Sequence, residues 1–419
     1  MELREPSARY LTGTKRTELG VLPSDWEIAE VGAISETASG TTPPRSQHER
    51  FYQRGMNAWV KTMDLNNAEI RITDESVTDR ALQETSLRLF PAGSVLVAMY
   101  GGLRQIGRTG LLRIPAAVNQ AITVVRPRRE ALCPEFLLFY LNYRVGYWQS
   151  VASSSRKDPN ITGADVRAFK LALPTVGEQE RIAAALADAD ALIDSLEQLL
   201  TKKRQIKQGA MQELLSGKRR LPGFDQPWIS RPFGGIASLS RDRVNPSSLS
   251  IPPLCVELEN LQASTGRLVG EAFESQQVAT KSVFRRGDVL FGKLRAYLRK
   301  YWLAEFDGVC STEIWVLRPT GELSSQTYLL YTVQRDDFIE AASTAYGTHM
   351  PRSDWKIVAE FELLFPSDAS EQVQIANVLS DMDAEITTLE SRLTKARAVK
   401  QAMAQALLTG RIRLLEPQT

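Results

Sequence analysis

Hydrophobic residues recur at alternating steps of four and three along two long stretches of this chain. In the first stretch they are Ile182, Leu186, Ala189, Ile193, Leu196 and Leu200. In the second stretch they are Ile375, Leu379, Met382, Ile386, Leu389 and Leu393. A mean period of 3.5 residues is typical of a coiled-coil seam. The same register continues through Lys207 and Lys400, so each seam becomes more polar in its second half. The pattern therefore predicts two long helices, each with one apolar stripe that needs a partner.

The two stretches are copies of one sequence. When Glu178–Leu221 is aligned with Glu371–Leu414, 23 of the 44 positions are identical. Unrelated segments share roughly one position in twenty to one in ten. Because internal repetition determines architecture, we expect a unit of one body and one helix that occurs twice, with pseudo-two-fold symmetry.

Each predicted helix has the same start and stop signals. Thr175 lies three residues before Glu178, and Asp368 lies three residues before Glu371, which is the spacing of a capping box. Glycines follow where helices commonly end in the left-handed conformation: Gly217 and Gly410. About 40 residues at 1.5 Å each give helices of roughly 60 Å. We expect them to pair antiparallel in a coiled coil; the alternative is that each helix packs only on its own body.

The first body, which precedes the first long helix, alternates short strand-like and helix-like stretches with loops. Ala58–Met63, Ser94–Met99 and Ala121–Val125 are typical of strands, and Pro134–Tyr143 of a short amphipathic helix. The second body repeats this frame more faintly, with different loops. The fold class is therefore α+β: two mixed α/β bodies joined and spaced by two long helices. The predicted segments are residues 1–174, 175–217, 218–366 and 367–419.

Composition narrows the functional classes. The 419 residues carry a net charge of +2, so any anion-binding surface must be local. There is no run of 18 apolar residues and no signal-peptide pattern at the start, so we expect no membrane association. The three cysteines and two histidines lack metal-ligand spacing, and the odd cysteine count favours the reducing cytoplasm.

Sequence motifs for catalysis are missing. Thr42-Pro43-Pro44-Arg45 departs at both ends from the motif of an adenine methyltransferase, and Gly101–Gly107 does not form a dinucleotide-binding pattern. There is no P-loop. We therefore predict a chain that is not itself an enzyme; a self-sufficient enzyme remains the less favoured alternative.

A cationic cluster predicts contact with nucleic acid. Lys281–Lys300 holds seven Lys or Arg residues and one Asp, a local charge of +6. Tyr297 lies within this segment and Tyr301 directly follows it. The matching segment of the first body is also cationic, and a polar loop later in each body is a second candidate. A solvated charged face is the alternative. The candidate DNA-binding residues are Arg104, Gln105, Arg108, Arg156, Lys157, Lys293, Arg295, Tyr297, Arg299, Lys300, His349 and Arg352.

Together these features resemble the DNA-specificity (S) subunit of type I restriction-modification systems, over nearly the whole chain. The resemblance rests on motifs that occur twice. They are Leu173-Pro174 with Glu178–Ile182, Phe365-Pro366 with Glu371–Ile375, Gly217-Lys218, Gly410-Arg411, Phe284–Leu290 and the weaker Phe90–Leu96. The second copy departs by having Val373 where the first has Glu180.

The resemblance implies two target-recognition domains that each read one half of a split sequence in double-stranded DNA, with the helices as a spacer. It also implies two methyltransferase subunits and later restriction/translocase subunits as partners. No cofactor is expected on this chain; S-adenosylmethionine is expected on the methyltransferase. We predict that apolar residues outside the seam are exposed and receive that partner: Leu199, Ile206, Leu215 and Leu408. The competing interpretation is a coiled-coil scaffold that does not bind DNA.

Overall fold

The structure is a computed structural model that describes residues 8–10, 13–102, 105–152, 160–270, 273–274, 279–344 and 351–415. The chain forms two compact units. The first unit combines Met1–Ser195 with Leu393–Thr419, and the second unit is Leu196–Arg392. Both unit boundaries therefore fall inside the long helices, so each unit contains one body and a part of each helix.

The strands and helices follow the chain in this order. The strands before the first long helix are β1 (Ala8–Tyr10), β2 (Thr14–Thr17), β3 (Gly20–Pro23), β4 (Glu27–Glu30), β5 (Ser35–Ser39), β6 (Asn57–Val60), β7 (Ala68–Ile70), β8 (Glu75–Val77), β9 (Val95–Ala98), β10 (Thr109–Leu112), β11 (Ala117–Val118), β12 (Ile122–Pro127) and β13 (Lys170–Leu173). The later strands are β14 (Trp228–Pro232), β15 (Ala237–Leu239), β16 (Arg243–Val244), β17 (Leu254–Val256), β18 (Phe273–Glu274), β19 (Lys281–Phe284), β20 (Val289–Gly292), β21 (Tyr301–Leu303), β22 (Gly308–Cys310), β23 (Ile314–Pro319), β24 (Glu362–Pro366) and β25 (Ile412–Leu414). The helices are α1 (Val31–Ile34), α2 (His48–Phe51), α3 (Asp79–Glu84), α4 (Pro134–Tyr143), α5 (Val145–Ala152), α6 (Gly163–Arg167), α7 (Val176–Leu214), α8 (Phe233–Ile236), α9 (Gln326–Thr332), α10 (Asp336–Ser343), α11 (Trp355–Ala359) and α12 (Ala369–Leu408).

The two bodies share a sheet plan. In the first body the main sheet has the order β5-β12-β9-β10-β7, and in the second body a sheet has the order β15-β23-β20-β21. A second sheet in each body contains a parallel pair, β11 with β6 and β22 with β17. The predicted strands around β6, β9 and β12 and the predicted helix α4 are confirmed. The prediction Ala58–Met63 is too long, because the strand ends at Val60 and a 3-10 turn follows.

The predicted seam is buried along both long helices. In α7 the buried seam residues are Ile182, Leu186, Ile193, Leu196 and Leu200. In α12 they are Ile375, Leu379, Ile386, Leu389 and Leu393. Apolar side chains on one stripe leave the water when the helices pair, which stabilises the pair by roughly 2 kcal/mol for each fully buried leucine or isoleucine.

The two helices pack in opposite directions. In the first unit the N-terminal half of α7 lies beside the C-terminal part of α12, where Lys400 pairs with Asp190. In the second unit the C-terminal half of α7 lies beside the N-terminal part of α12, where Lys207 pairs with Asp383 at 2.6 Å. The rings beneath these lysines are Phe139 and Tyr331. The predicted antiparallel pairing is confirmed, and the repeated ion pairs explain why the seam turns polar.

The capping boxes form only in part. The amide N–H of Glu178 donates to Oγ1 of Thr175 at 3.4 Å, but the Glu178 carboxylate does not return to the start of the helix. It is fully buried and instead accepts hydrogen bonds from Arg413. In the second unit Glu371 accepts hydrogen bonds from Arg220 in the same way. A buried carboxylate without a cation costs more free energy than a missing second cap at a helix start. Each glutamate therefore pairs with the distant arginine.

Candidate nucleic-acid interface

The loop after β9 presents polar and aromatic side chains at one end of the main sheet of the first body. Tyr100 is exposed, and Gly101 has a φ of +116°. A Cβ at Gly101 would lie 2.0 Å from Oε1 of Gln105, so glycine lets that amide fold over the loop. Nε2 of Gln105 lies 3.3 Å from Sδ of Met63. Arg108 is half-buried where the loop ends.

The loop after β20 occupies the equivalent place in the second body. Arg295 and Tyr297 are exposed, and Lys293 is half-buried. The backbone of Arg295 is left-handed, with φ +55°, and its N–H donates to the carbonyl oxygen of Pro351 at 2.9 Å. A cation and an aromatic ring therefore project from a loop whose backbone is fixed, which suits contact with phosphates and base edges.

Two of the predicted DNA-binding cations have partners inside the second unit. Arg299 pairs with Asp336 and also donates to the carbonyl oxygen of Gln334 at 3.0 Å. Nζ of Lys300 donates to the carbonyl oxygen of Leu258 at 2.7 Å. These contacts hold the loop against neighbouring segments. A role for Arg299 and Lys300 in binding DNA stays a prediction.

Two further cations of the second body are also engaged internally. Nε of Arg352 lies 2.9 Å from Oε2 of Glu313. Lys281 is buried and pairs with Glu257. Fewer cations are therefore exposed on the second body than the local charge of Lys281–Lys300 indicates. The remaining candidates lie outside the described residues: Arg104, Arg156, Lys157 and His349.

A turn that the sequence pattern did not predict lies beside each of these loops. β6 is followed by the 3-10 turn Thr62–Asp64, and β17 is followed by the 3-10 turn Leu258–Asn260. The signal was present as Val60-Lys-Thr-Met-Asp-Leu65 and Val256-Glu-Leu-Glu-Asn-Leu261, in which an Asp or Asn can cap the turn. Short turns have no periodicity, so this repeat is faint in the sequence.

The predicted partner-binding residues divide into two groups. Leu199 and Ile206 are 39% and 47% exposed on α7. Leu215 and Leu408 are buried in the cores of their units, so the expectation that they are exposed is corrected. They lie where each long helix ends, and there the helix packs on the body of its unit.

The described residues offer no evident chemistry. Among them no group of three or more His, Cys, Asp or Glu residues could hold a metal ion, and no described helix could span a membrane. Burial raises the pKa of Cys133 to about 11 and that of Cys310 to about 12. Neither thiol is therefore a ready nucleophile at neutral pH.

Fold and site together define an internally duplicated binding protein, in which equivalent loops of two bodies present different side chains. The family described as "Type I restriction modification DNA specificity domain" matches residues 23–208 and 275–396. The chain belongs to this family. The predicted fold class and the predicted family are confirmed, and the family description favours DNA specificity over the scaffold interpretation.

Individual relatives agree with the family match. The chain is 21% identical over 435 residues to the EcoDI specificity subunit of Escherichia coli, a match that covers 94% of this chain and 89% of that one. It is 29% identical over 192 residues to the MjaIX specificity subunit of Methanocaldococcus jannaschii. The matches to that subunit and to the EcoR124I/EcoR124II specificity subunit span only 43% and 45% of their lengths.

A solved structure has the same fold. The crystal structure of a type I restriction-modification S subunit from M. genitalium superimposes with a TM-score of 0.57 at 13% sequence identity. The superposition covers 94% of this chain and 97% of that one. The fold is therefore shared along nearly the whole length of both chains.

Proposed function

We propose that this chain recognises a bipartite DNA sequence and docks methyltransferase subunits on it. The observation that carries the proposal is the equivalent placement of the loops after β9 and β20, with Gln105 and Tyr100 in one body and Arg295 and Tyr297 in the other. Different side chains on a common frame are what two readers of different half-sites need. Gln can pair with adenine in the major groove, and an exposed Arg can neutralise a phosphate of the duplex.

Salt dependence separates this function from that of a DNA-independent scaffold. For the full chain assembled with its methyltransferase subunits, we expect the logarithm of the DNA-binding constant to fall linearly with the logarithm of salt concentration. Arg295→Ala is expected to reduce the magnitude of that slope by about 1, because one phosphate contact is lost. The measurement is fluorescence anisotropy with a duplex at several salt concentrations.

Arg285 provides the matched control. It is an exposed arginine that precedes β20, whereas Arg295 follows that strand, so the two lie at opposite ends of it. Arg285→Ala should leave the slope unchanged. If both substitutions alter the slope equally, the loop after β20 is not the contact surface, and if the assembled protein does not bind DNA at all, the proposed function is wrong.

The partners follow from the same proposal. Two methyltransferase subunits bind the helix pair, they carry the S-adenosylmethionine, and restriction/translocase subunits join them. Leu192, Leu199 and Ile206 are exposed at intervals of seven residues on α7, so they share one face of that helix. An apolar stripe outside the seam can receive a helix from another chain.

Substitution on this stripe tests the partner proposal. Leu199→Glu combined with Ile206→Glu is expected to lower the affinity for the methyltransferase subunit by roughly tenfold or more, because a buried unpaired charge costs about 2 kcal/mol. Affinity capture of the partner by the full chain measures this. Ile72→Glu, at an exposed apolar position of the first body, is the control. Undiminished capture by the double variant would show that the partner binds elsewhere.

A further inference from the structure

The two 3-10 turns are built in the same way. In the first body Oδ2 of Asp64 accepts a hydrogen bond from the backbone N–H of Lys61 at 2.7 Å. In the second body Oδ1 of Asn260 accepts one from the backbone N–H of Glu257 at 2.8 Å. A side chain that caps its own turn in this way fixes the backbone between the two bonded residues. Each turn is therefore a rigid extension of the strand before it.

An ion pair holds the residue that precedes each turn. That residue is the cation Lys61 in the first body and the anion Glu257 in the second body. Nζ of Lys61 lies 2.7 Å from Oε1 of Glu75. Hydrogen bonds from Arg45 and Lys61 hold the pKa of Glu75 at about 2, so that carboxylate is charged at neutral pH. In the second body Glu257 pairs instead with the buried Lys281.

Both turns lie beside the loops proposed to contact DNA. In the first body the thioether of Met63 contacts the amide of Gln105 at 3.3 Å. In the second body Lys300, at the end of the loop after β20, donates to the carbonyl oxygen of Leu258 at 2.7 Å. The turns thus extend the surfaces that these loops form, on a frame that does not depend on DNA for its shape.

One side chain of each turn projects outward. Met63 is 61% exposed. Glu259, at the corresponding place in the second turn, is exposed and makes no hydrogen bond or ion pair with any described residue. Neither side chain is required for the capping or the ion pairs of its turn. An exposed thioether and an unpaired carboxylate, held at equivalent points, are therefore available for a ligand.

We propose that these turns are base-reading elements, in which Met63 contacts the methyl group of a thymine and Glu259 accepts a hydrogen bond from the N4 amino group of a cytosine. The proposal rests on the proposed function and extends it to particular bases. In the major groove thymine alone presents a methyl group, and cytosine presents an amino donor that glutamate can accept. Phosphates repel a carboxylate that approaches DNA. The position of the Glu259 carboxylate beside the loop proposed to contact DNA is therefore explained if it accepts a hydrogen bond from a base.

The test is the sequence that the assembled protein methylates. The full chain and its methyltransferase subunits are expressed with a plasmid library in which both half-sites are randomised, and methylated bases are sequenced. Glu259→Gln is expected to change one position of one half-site from cytosine to adenine, with preference for cytosine reduced roughly tenfold. The other half-site should be unchanged.

The same library tests the first body. Met63→Ala is expected to reduce the preference for thymine over cytosine roughly fivefold at one position of the other half-site, because the apolar contact with the methyl group is lost. Each substitution has a matched control within its own body. Met56→Ala changes an exposed methionine at the opposite end of β6, and Glu305→Gln changes an exposed glutamate after β21, beside the start of β20. Neither control should alter the sequence.

The outcomes separate this proposal from the function on which it rests. If Glu259→Gln and Glu259→Ala both methylate the wild-type sequence with unchanged selectivity, Glu259 does not read a base. If the wild-type protein methylates no bipartite sequence, the proposed function itself is wrong. If Glu259→Gln abolishes methylation, competition binding with duplexes that differ at a single position of the half-site measures base preference directly. An equal loss of affinity for all four bases at that position would contradict the proposal.

Discussion

Replacement of Arg413 by alanine is expected to destabilise the first unit by about 3–5 kcal/mol, the cost of leaving a buried charge without its partner. Nε and Nη2 of Arg413 each lie 2.7 Å from an oxygen of the Glu178 carboxylate, which is fully buried. The indole N–H of Trp26 donates to the same carboxylate at 3.3 Å. That indole hydrogen bond alone does not compensate a buried anion.

Arg413 also binds a second carboxylate. Its Nη1 and Nη2 donate to Asp25 at 2.8 and 2.7 Å. The hydrogen bonds that Arg413 donates lower the pKa of Asp25, and those that Glu178 and Asp25 accept raise the pKa of Arg413 itself. The guanidinium group therefore joins the C-terminal strand β25 to the start of α7 and to the opening of the first body.

Urea unfolding and hydrogen exchange measure this effect. In Arg413→Ala, amides at the start of α7 should exchange faster while those of the second unit stay protected. Arg411→Ala is the matched control, because Arg411 is exposed two residues away. Arg220→Ala should act on the second unit instead, since Arg220 pairs with Glu371 there at 2.6 Å. Equal stability of Arg413→Ala and Arg411→Ala would contradict the role given to the buried pair.

Lengthening both long helices by three heptads is expected to move the two half-sites apart by about nine base pairs without changing either of them. Twenty-one added residues extend a helix by roughly 32 Å, which is close to one turn of duplex DNA. The phase of each body on the duplex is then nearly restored. One heptad adds about 10 Å, close to a third of a turn, so a single insertion should methylate far less efficiently.

The insertions can be placed without disturbing known contacts. Repeats of residues 192–198 after Gln198 and of residues 385–391 after Ser391 continue the seam of each helix. Both positions lie between the ion pairs Lys207–Asp383 and Lys400–Asp190, so these pairs are kept. The measurement is the sequence methylated by the assembled protein. A spacer that stays constant as heptads are added would contradict the proposal that the helices set it, and altered half-sites would show that the insertions disturb the bodies.

Periodicity explains why the helices were predictable. The residues of the seam lie three and four positions apart, so a local pattern contains the whole of the buried stripe. Gly217 and Gly410 were correctly placed at the helix ends, with φ of +71° and +68°. The repeat also predicted the polar seam, in which Lys207 and Lys400 recur at the same register.

The interface was predicted less completely. Gln105, Arg295 and Tyr297 lie on the two equivalent loops after β9 and β20, and their contact with DNA stays a prediction. Arg299 and Lys300 resemble surface cations in the sequence, but they have partners in segments that precede or follow them by more than 30 positions. Charge composition cannot distinguish an internal ion pair from a free cation, because the partner lies elsewhere in the chain.

The sequence by itself determined the duplication, the two helices, their antiparallel pairing and the family to which the chain belongs. Only the tertiary structure decided that Glu178 is held by Arg413, 235 positions away, rather than by the helix start. It also decided that Leu215 and Leu408 are buried and that rigid turns present Met63 and Glu259. The reason is physical: a helix buries its stripe through local repetition, whereas a buried charge depends on which distant groups folding brings within about 3 Å. A short capped turn is local but has no periodicity that would reveal it.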